Sequence, residues 1–153
     1  MLVFKDHMHN EYFEGILQLR APTEEVLSFI ESEMLKHGKV RVSKTKQVAD
    51  GADMYMTDQR FLQNLGRRLK DRFGGQLKVA PRLFSKDHLT SKNVYRVNVL
   101  FRMPAFARGD EMTVIGRRVK VLAVKKLVQV QDLENGEKFA VPFEKVEAAA
   151  KKD

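Results

Sequence analysis

The sequence predicts an α+β fold: a two-layer sandwich followed by a small all-β module. Two patterns carry this reading. Apolar residues alternate with period two in some runs and recur at helical spacing in others. Beyond the connector 103-MPAFA-107, only short strand-like runs remain.

The first run is 12-YFEGILQLR-20. Phe13, Leu17 and Leu19 share one side of the predicted strand, with Ile16, Gln18, Arg20 and Glu14 on the other. Pro22-Thr23-Glu24-Glu25 then opens a helix, with Thr23 as N-cap and two carboxylates facing the positive end of the helix dipole. Val26, Leu27, Ile30 and Met34 mark its apolar stripe, and Gly38 ends it. Residues 39–49 and 52–57 read as two strands with a hairpin signal at Asp50-Gly51. In 58-DQRFLQNLGRRLKDRFGG-75, the residues Phe61, Leu62, Leu65, Leu69 and Phe73 fall at helical spacing, and Gly74-Gly75 stops that helix. Residues 76–84 and 93–102 follow as strands, and Pro81 marks the first of them as an edge strand or a bulge.

The first six of these elements match the ferredoxin-like split βαβ pattern, with two helices on one face of an antiparallel sheet. The sandwich is expected over residues 1–103, leaving its other sheet face open. Short strands at 111–115, 118–125, 127–133 and 137–143, with Asn135-Gly136 as a hairpin signal, predict a small SH3-like or OB-like barrel over 104–147. Residues 148–153 read as a frayed basic tail.

Composition narrows the function classes. The chain has 153 residues and no cysteine, which excludes disulfides, thiol nucleophiles and cysteine-ligated metals. No apolar run spans a membrane and no leader pattern is present, so a cytoplasmic protein without a membrane partner is expected. The formal net charge is +8, unevenly spread: residues 1–37 carry −4 and the remainder +12. Such an excess favours an anionic partner. No phosphate-binding glycine loop, dinucleotide fingerprint, zinc-protease motif or nucleophile elbow occurs. Asp6-His7-Met8-His9 reads as a solvated terminus rather than a metal site, and Asp87-His88 lacks a neighbouring nucleophile. Arg108-Gly109-Asp110 reads as a turn. No enzyme activity, cofactor or metal is expected.

The basic residues form three groups. Arg60, Arg67, Arg68, Lys70 and Arg72 lie on the second helix, away from or beside its apolar stripe. Lys78, Arg82, Arg96 and Arg102 would share the open sheet face. Arg117, Arg118, Lys120, Lys125 and Lys126 cluster around one hairpin of the last module. Each group alone is satisfied as a solvated face; three together fit an extended phosphate backbone better than a small ligand. No aromatic RNA-binding motif is apparent on the sheet face, which favours recognition of a folded RNA by shape and charge over base stacking.

The segments 12-YFEGILQLR-20, 50-DGADMYMTDQRFLQNLGRRLKDRFGG-75, 83-LFSKDHLTSKNVYRVNVLFRMPAFARGD-110 and 132-DLENGEKF-139 resemble the archaeal branch of the nonsense-mediated-decay protein three family. Its eukaryotic members are export adaptors of the large (60S) ribosomal subunit. The resemblance implies binding to the large subunit and its ribosomal RNA, a role in subunit biogenesis or quality control, and no catalytic residues. It also implies domains similar to the SH3-like and OB modules of the hypusine-containing translation factor. The family's amino-terminal Cys-x-x-Cys zinc motifs are missing here, as in a fragment or a short member. The eukaryotic export signals are missing too, so nuclear export is not carried over. The alternative is a protein–protein adaptor that docks a ribosomal protein or translation factor on the open sheet face.

Overall fold

The computed structural model describes residues 12–86 and 93–152. They fall into two compact units, one within Met1–Arg68 and Leu77–Arg102, the other within Leu69–Gln76 and Met103–Asp153.

The first unit is built from β1 (Gly15–Arg20), α1 (Glu24–His37), β2 (Val42–Val48), β3 (Gly51–Met56), the greater part of α2 (Gln59–Phe73), β4 (Gln76–Lys86) and β5 (Asn93–Arg102). The start of α1 follows from Thr23, whose hydroxyl accepts the N–H of Val26 at 3.3 Å. Its end follows from Gly38, left-handed at φ 79°, whose N–H donates to the Met34 carbonyl at 3.0 Å.

The strands form one sheet in the order β2-β3-β1-β5-β4. β3 lies between β1 and β2 and runs antiparallel to both. The expectation of a purely antiparallel sheet is corrected at β5, which enters beside β1 and runs parallel to it, with Gly15 opposite Val97 and Arg20 opposite Arg102. The sheet is therefore mixed and five-stranded. Composition explains which strand of the last pair goes inside. Val97, Val99 and Phe101 of β5 are all buried. β4 carries Pro81, which cannot donate to a ladder, and Val79 and Leu83 stay exposed on it. That places β4 at the edge, as Pro81 predicts.

One sheet face is the core. Leu17, Leu19, Met54, Met56, Val97, Val99 and Phe101 are buried there with Val26 and Ile30 of α1 and Leu62 and Leu65 of α2. At the β2–β3 hairpin, a Cβ on Gly51 would sit 2.0 Å from the Leu19 carbonyl oxygen. Only glycine lets β3 begin that close to β1.

The second unit holds β6 (Glu111–Val114), β7 (Arg117–Val124), β8 (Leu127–Asp132), β9 (Lys138–Pro142) and α3 (Phe143–Lys152). Its strands make an antiparallel sheet in sequential order, β6-β7-β8-β9, and do not close into the expected barrel. A helix does the covering instead. Phe143 and Val146 of α3 are buried in one cluster with Val119, Val121, Val128, Val130 and Val141, and Ala149 and Ala150 pack against it. The expected frayed tail is thus helical through Lys152. The Asn135-Gly136 signal does mark a hairpin, with Gly136 left-handed at φ 74°.

The β6–β7 turn has left-handed dihedrals at both Ile115 (φ 52°) and Gly116 (φ 71°), the geometry of a tight type I′ hairpin. A β-branched residue is strained there. Ile115→Asn is therefore expected to raise the stability of the second unit by about 1 kcal/mol, read by chemical denaturation. Gly51→Ala is expected to lower that of the first unit by about 2 kcal/mol or more in the same measurement.

Candidate nucleic-acid interface

α2 is held at its first turn by two carboxylates. Asp58 Oδ1 accepts the N–H of Phe61 at 3.0 Å, and Glu14 Oε1 accepts that of Gln59 at 2.9 Å. Both satisfy N–H groups that a helix leaves unpaired, at its positive end. Leu62 and Leu65 then face the sheet, and Leu69 is buried as well. Phe61, expected in the same stripe, instead meets His37 of α1 edge-on at 5.0 Å.

The outer side of α2 exposes Arg60 and Arg67, beside Gln63 and Asn64, along a shallow groove. Arg67 donates to Asn64 Oδ1 at 2.6 Å. Arg68 points elsewhere. Its guanidinium donates to Glu33, a residue of α1 that is only 6% exposed, with Lys36 Nζ 3.5 Å from the other carboxylate oxygen. The hydrogen bond from Arg68 lowers the Glu33 pKa below the ordinary carboxylate value, against the opposing effect of burial. Lys70 Nζ is engaged in the second unit, 3.0 Å from the Gly75 carbonyl, 3.1 Å from Glu144 and over the Phe143 ring. Arg72 is exposed and lies over Phe73.

Between α1 and α2 lies a cleft of about 370 Å³. Across it Glu33 pairs with Arg68, and His37 Nε2 lies 3.5 Å from Asp58. His37 Nδ1 accepts the N–H of Val40 at 3.0 Å. This is a fastening between the helices.

On the sheet, Lys78 and Arg82 are exposed along β4. Leu77 lies under α2 at Gly66, which turns Lys78 to the opposite, helix-free face. Arg96 and Arg102 stand on that face too, because Val97, Val99 and Phe101 take the other. Arg102 ends β5, and Arg96 lies in its first half. Arg102 is paired with Asp50 at 2.9 Å, close to the Arg20–Asp53 pair, also 2.9 Å. Arg96 lies over the Phe13 ring, 3.7 Å from its centroid, and burial lowers its pKa.

In the second unit the expected cluster separates. Arg117 is bound by Asp132 at 2.6 Å and Glu137 at 2.9 Å, and covers Phe139. The same Asp132 accepts the N–H groups of Glu134 and Asn135, so this pair organises the β8–β9 turn. Its pKa is lowered first by the bond from Arg117. Arg118 and Lys120 are exposed on β7, with Arg118 3.5 Å from Thr113 Oγ1. Lys125 and Lys126 sit in the next turn, roughly 20 Å along the strand from Arg118.

The family model for the second domain of NMD3 matches residues 12–103. The chain belongs to the NMD3 family. No curated protein matches it. NMD3 is a family of ribosome-associated adaptors for large-subunit export, and catalysis is not known in it. The match covers the first unit's sheet, α1, and the exposed cations of α2, β4 and β5.

Within this NMD3 domain the structure brings together residues that the sequence reading separated. Phe13 was placed on the core side with Leu17 and Leu19. Instead the chain bends at Glu14, whose carboxylate turns to cap α2, and Phe13 lands against Tyr55 on the helix-free face. Lys44 joins them from β2, opposite Tyr55. Strict alternation hid this group; the signal available was Tyr55, out of phase with the buried Met54 and Met56. His7, His9, Asp87 and His88 lie outside the described residues. No described helix is long and apolar enough to cross a membrane.

The NMD3 domain should respond unequally to loss of neighbouring arginines. Arg68→Ala is expected to cost about 1 kcal/mol at pH 7, and Arg67→Ala less than about 0.5. Because the folded-state Glu33 pKa is lowered, the Arg68 contribution is present above the ordinary carboxylate value and fades as pH falls through the folded value. Denaturation at pH 7 and pH 3 should show the gap between wild type and Arg68→Ala narrowing in acid.

Proposed function

We propose that this chain binds the large ribosomal subunit through ribosomal RNA, without catalysis, and acts in subunit biogenesis or quality control. The observation that carries the reading is membership of the NMD3 family over the domain that presents Arg60 and Arg67 in a row on the outer face of α2. Arginine suits this use: its planar fork donates to two phosphate oxygens at once, and it stays charged at any physiological pH. Lys78 and Arg82 on β4, and Arg118, Lys120, Lys125 and Lys126 in the second unit, add exposed positive charge. Arg68, Arg102, Lys70 and Arg117 contribute to the field while already serving internal ion pairs.

A second reading, a protein–protein adaptor, draws on β4. That edge strand leaves Val79 44% and Leu83 61% exposed, apolar surface that a protein partner would cover.

Co-sedimentation with purified large subunits across a salt series separates the two. The RNA reading expects binding that falls steeply with salt, and a loss of about tenfold or more for Arg60→Glu/Arg67→Glu with a shallower salt slope. Binding indifferent to salt, or a complex that survives nuclease digestion intact, overturns it in favour of the adaptor.

A further inference from the structure

We infer that the helix-free face of the first unit's sheet is a stacking platform for single-stranded RNA, centred on Tyr55 and Phe13 and bracketed by Lys44 and Arg96. The inference deepens the RNA reading above and rests on it for the class of ligand.

The four side chains form a row across the sheet. Lys44 comes from β2, Tyr55 from β3, Phe13 from the residue before the bend into β1, and Arg96 from β5. Lys44 Nζ is 4.9 Å from the Tyr55 centroid, Tyr55 meets Phe13 edge-to-face at 4.8 Å, and Arg96 Cζ is 3.7 Å from the Phe13 centroid. Strands lie about 4.8 Å apart, so the row extends about 15 Å, room for two or three splayed nucleotides.

The chemistry of the row selects the occupant. Tyr55 and Phe13 are partly exposed on a face that no described helix of this unit covers. Phe13 backs the Arg96 guanidinium and fixes its plane. A fixed guanidinium plane and an aromatic ring are both surfaces on which a base stacks. Lys44 is an exposed side chain of the edge strand. It can leave the Tyr55 ring for a phosphate, while the ring takes a base. The exposed Lys46 lies one row along the same face, opposite Asp53. At the far end of the face Arg20 is paired with Asp53 and Arg102 with Asp50. In the aromatic row, Lys44 lies over Tyr55 and Arg96 over Phe13. A duplex hides its base faces in its own stack, so only single-stranded RNA can use the rings.

The test uses the whole chain and a fluorescein-labelled eight-nucleotide uridine RNA, with an RNA duplex of equal phosphate number as control. Wild type should bind the single strand more tightly than the duplex. Tyr55→Ala should lose about tenfold or more in affinity for the single strand, while Tyr55→Phe, which keeps the ring, should stay within about twofold. Lys44→Glu on the exposed edge strand leaves the core untouched and should also weaken the single strand, so the site is readable even if Tyr55→Ala fails to fold. Arg60→Glu/Arg67→Glu should weaken subunit co-sedimentation but spare the oligonucleotide. Unchanged subunit binding in Arg60→Glu/Arg67→Glu therefore counts against the earlier reading alone, and an unchanged oligonucleotide affinity in folded Tyr55→Ala and in Lys44→Glu overturns this one. Full displacement of the RNA from Tyr55 by a short polyglutamate, with no preference for single strand over duplex, also overturns it and marks the face as a site for an acidic protein.

Discussion

One hydrogen bond sets much of the first unit's geometry. Glu14 lies immediately before β1, and its carboxylate accepts the N–H of Gln59, the first residue of α2. The contact ties the first strand to a helix 45 residues further on. It also puts a negative charge at the helix end where the backbone dipole is positive. To reach it, the chain must bend out of strand geometry at Glu14, and that bend reverses the side on which Phe13 falls. The same carboxylate thus starts α2 over the core face and delivers an aromatic ring to the opposite face. Beneath it, Gly15 has no side chain, and a Cβ there would stand 2.6 Å from the Val97 carbonyl oxygen and the same distance from Leu62. Strand, helix and β5 converge at this corner because the sequence places a carboxylate and then a hydrogen there.

The charge of the molecule must be sorted before it can be interpreted. A net charge of +8 says nothing about which cations face solvent alone. Arg67 and Arg68 are neighbours in sequence, yet on a helix consecutive residues point about 100° apart. That rotation leaves Arg67 on the outer face and sends Arg68 to the buried Glu33 of α1. A buried carboxylate without such a partner would be costly, so Arg68 holds the helices together first and adds to the field second. The same division separates Arg117, bound to Asp132 and Glu137, from the exposed Arg118.

Features with a local cause were legible in the sequence. Thr23 caps α1 and Gly38 ends it because a hydroxyl and a missing Cβ act within one turn of their own position. Pro81 announces an edge strand for the same kind of reason. What escaped was decided by comparison between distant segments. The choice of β5 over β4 as the neighbour of β1 depends on which of two apolar strands is the better buried. The residues of α3 read locally as a run of alanines and lysines. They become a helix with a buried side because the open sheet β6-β7-β8-β9 has an apolar face that must be covered. The candidate site divides in the same way. The cations could be listed from sequence, but their partners could not, and the Lys44–Tyr55–Phe13–Arg96 row exists only through strand order and a side-chain cap.

The two faces of the first unit suit two scales of recognition. Arginines on a helix surface act through a field that extends about a Debye length, roughly 8 Å at physiological salt, and that any phosphate backbone can answer. Such a surface draws a large polyanion and holds it loosely, since most of the free energy comes from released counterions. Rings on a sheet act only at contact and only on an unstacked base. In the proposed reading, the field of α2 and the contact row on the opposite side of the same sheet belong to one unit. Neither depends on a mobile segment to be assembled, because the Glu14 bend that orients Phe13 also anchors the helix that carries Arg60 and Arg67.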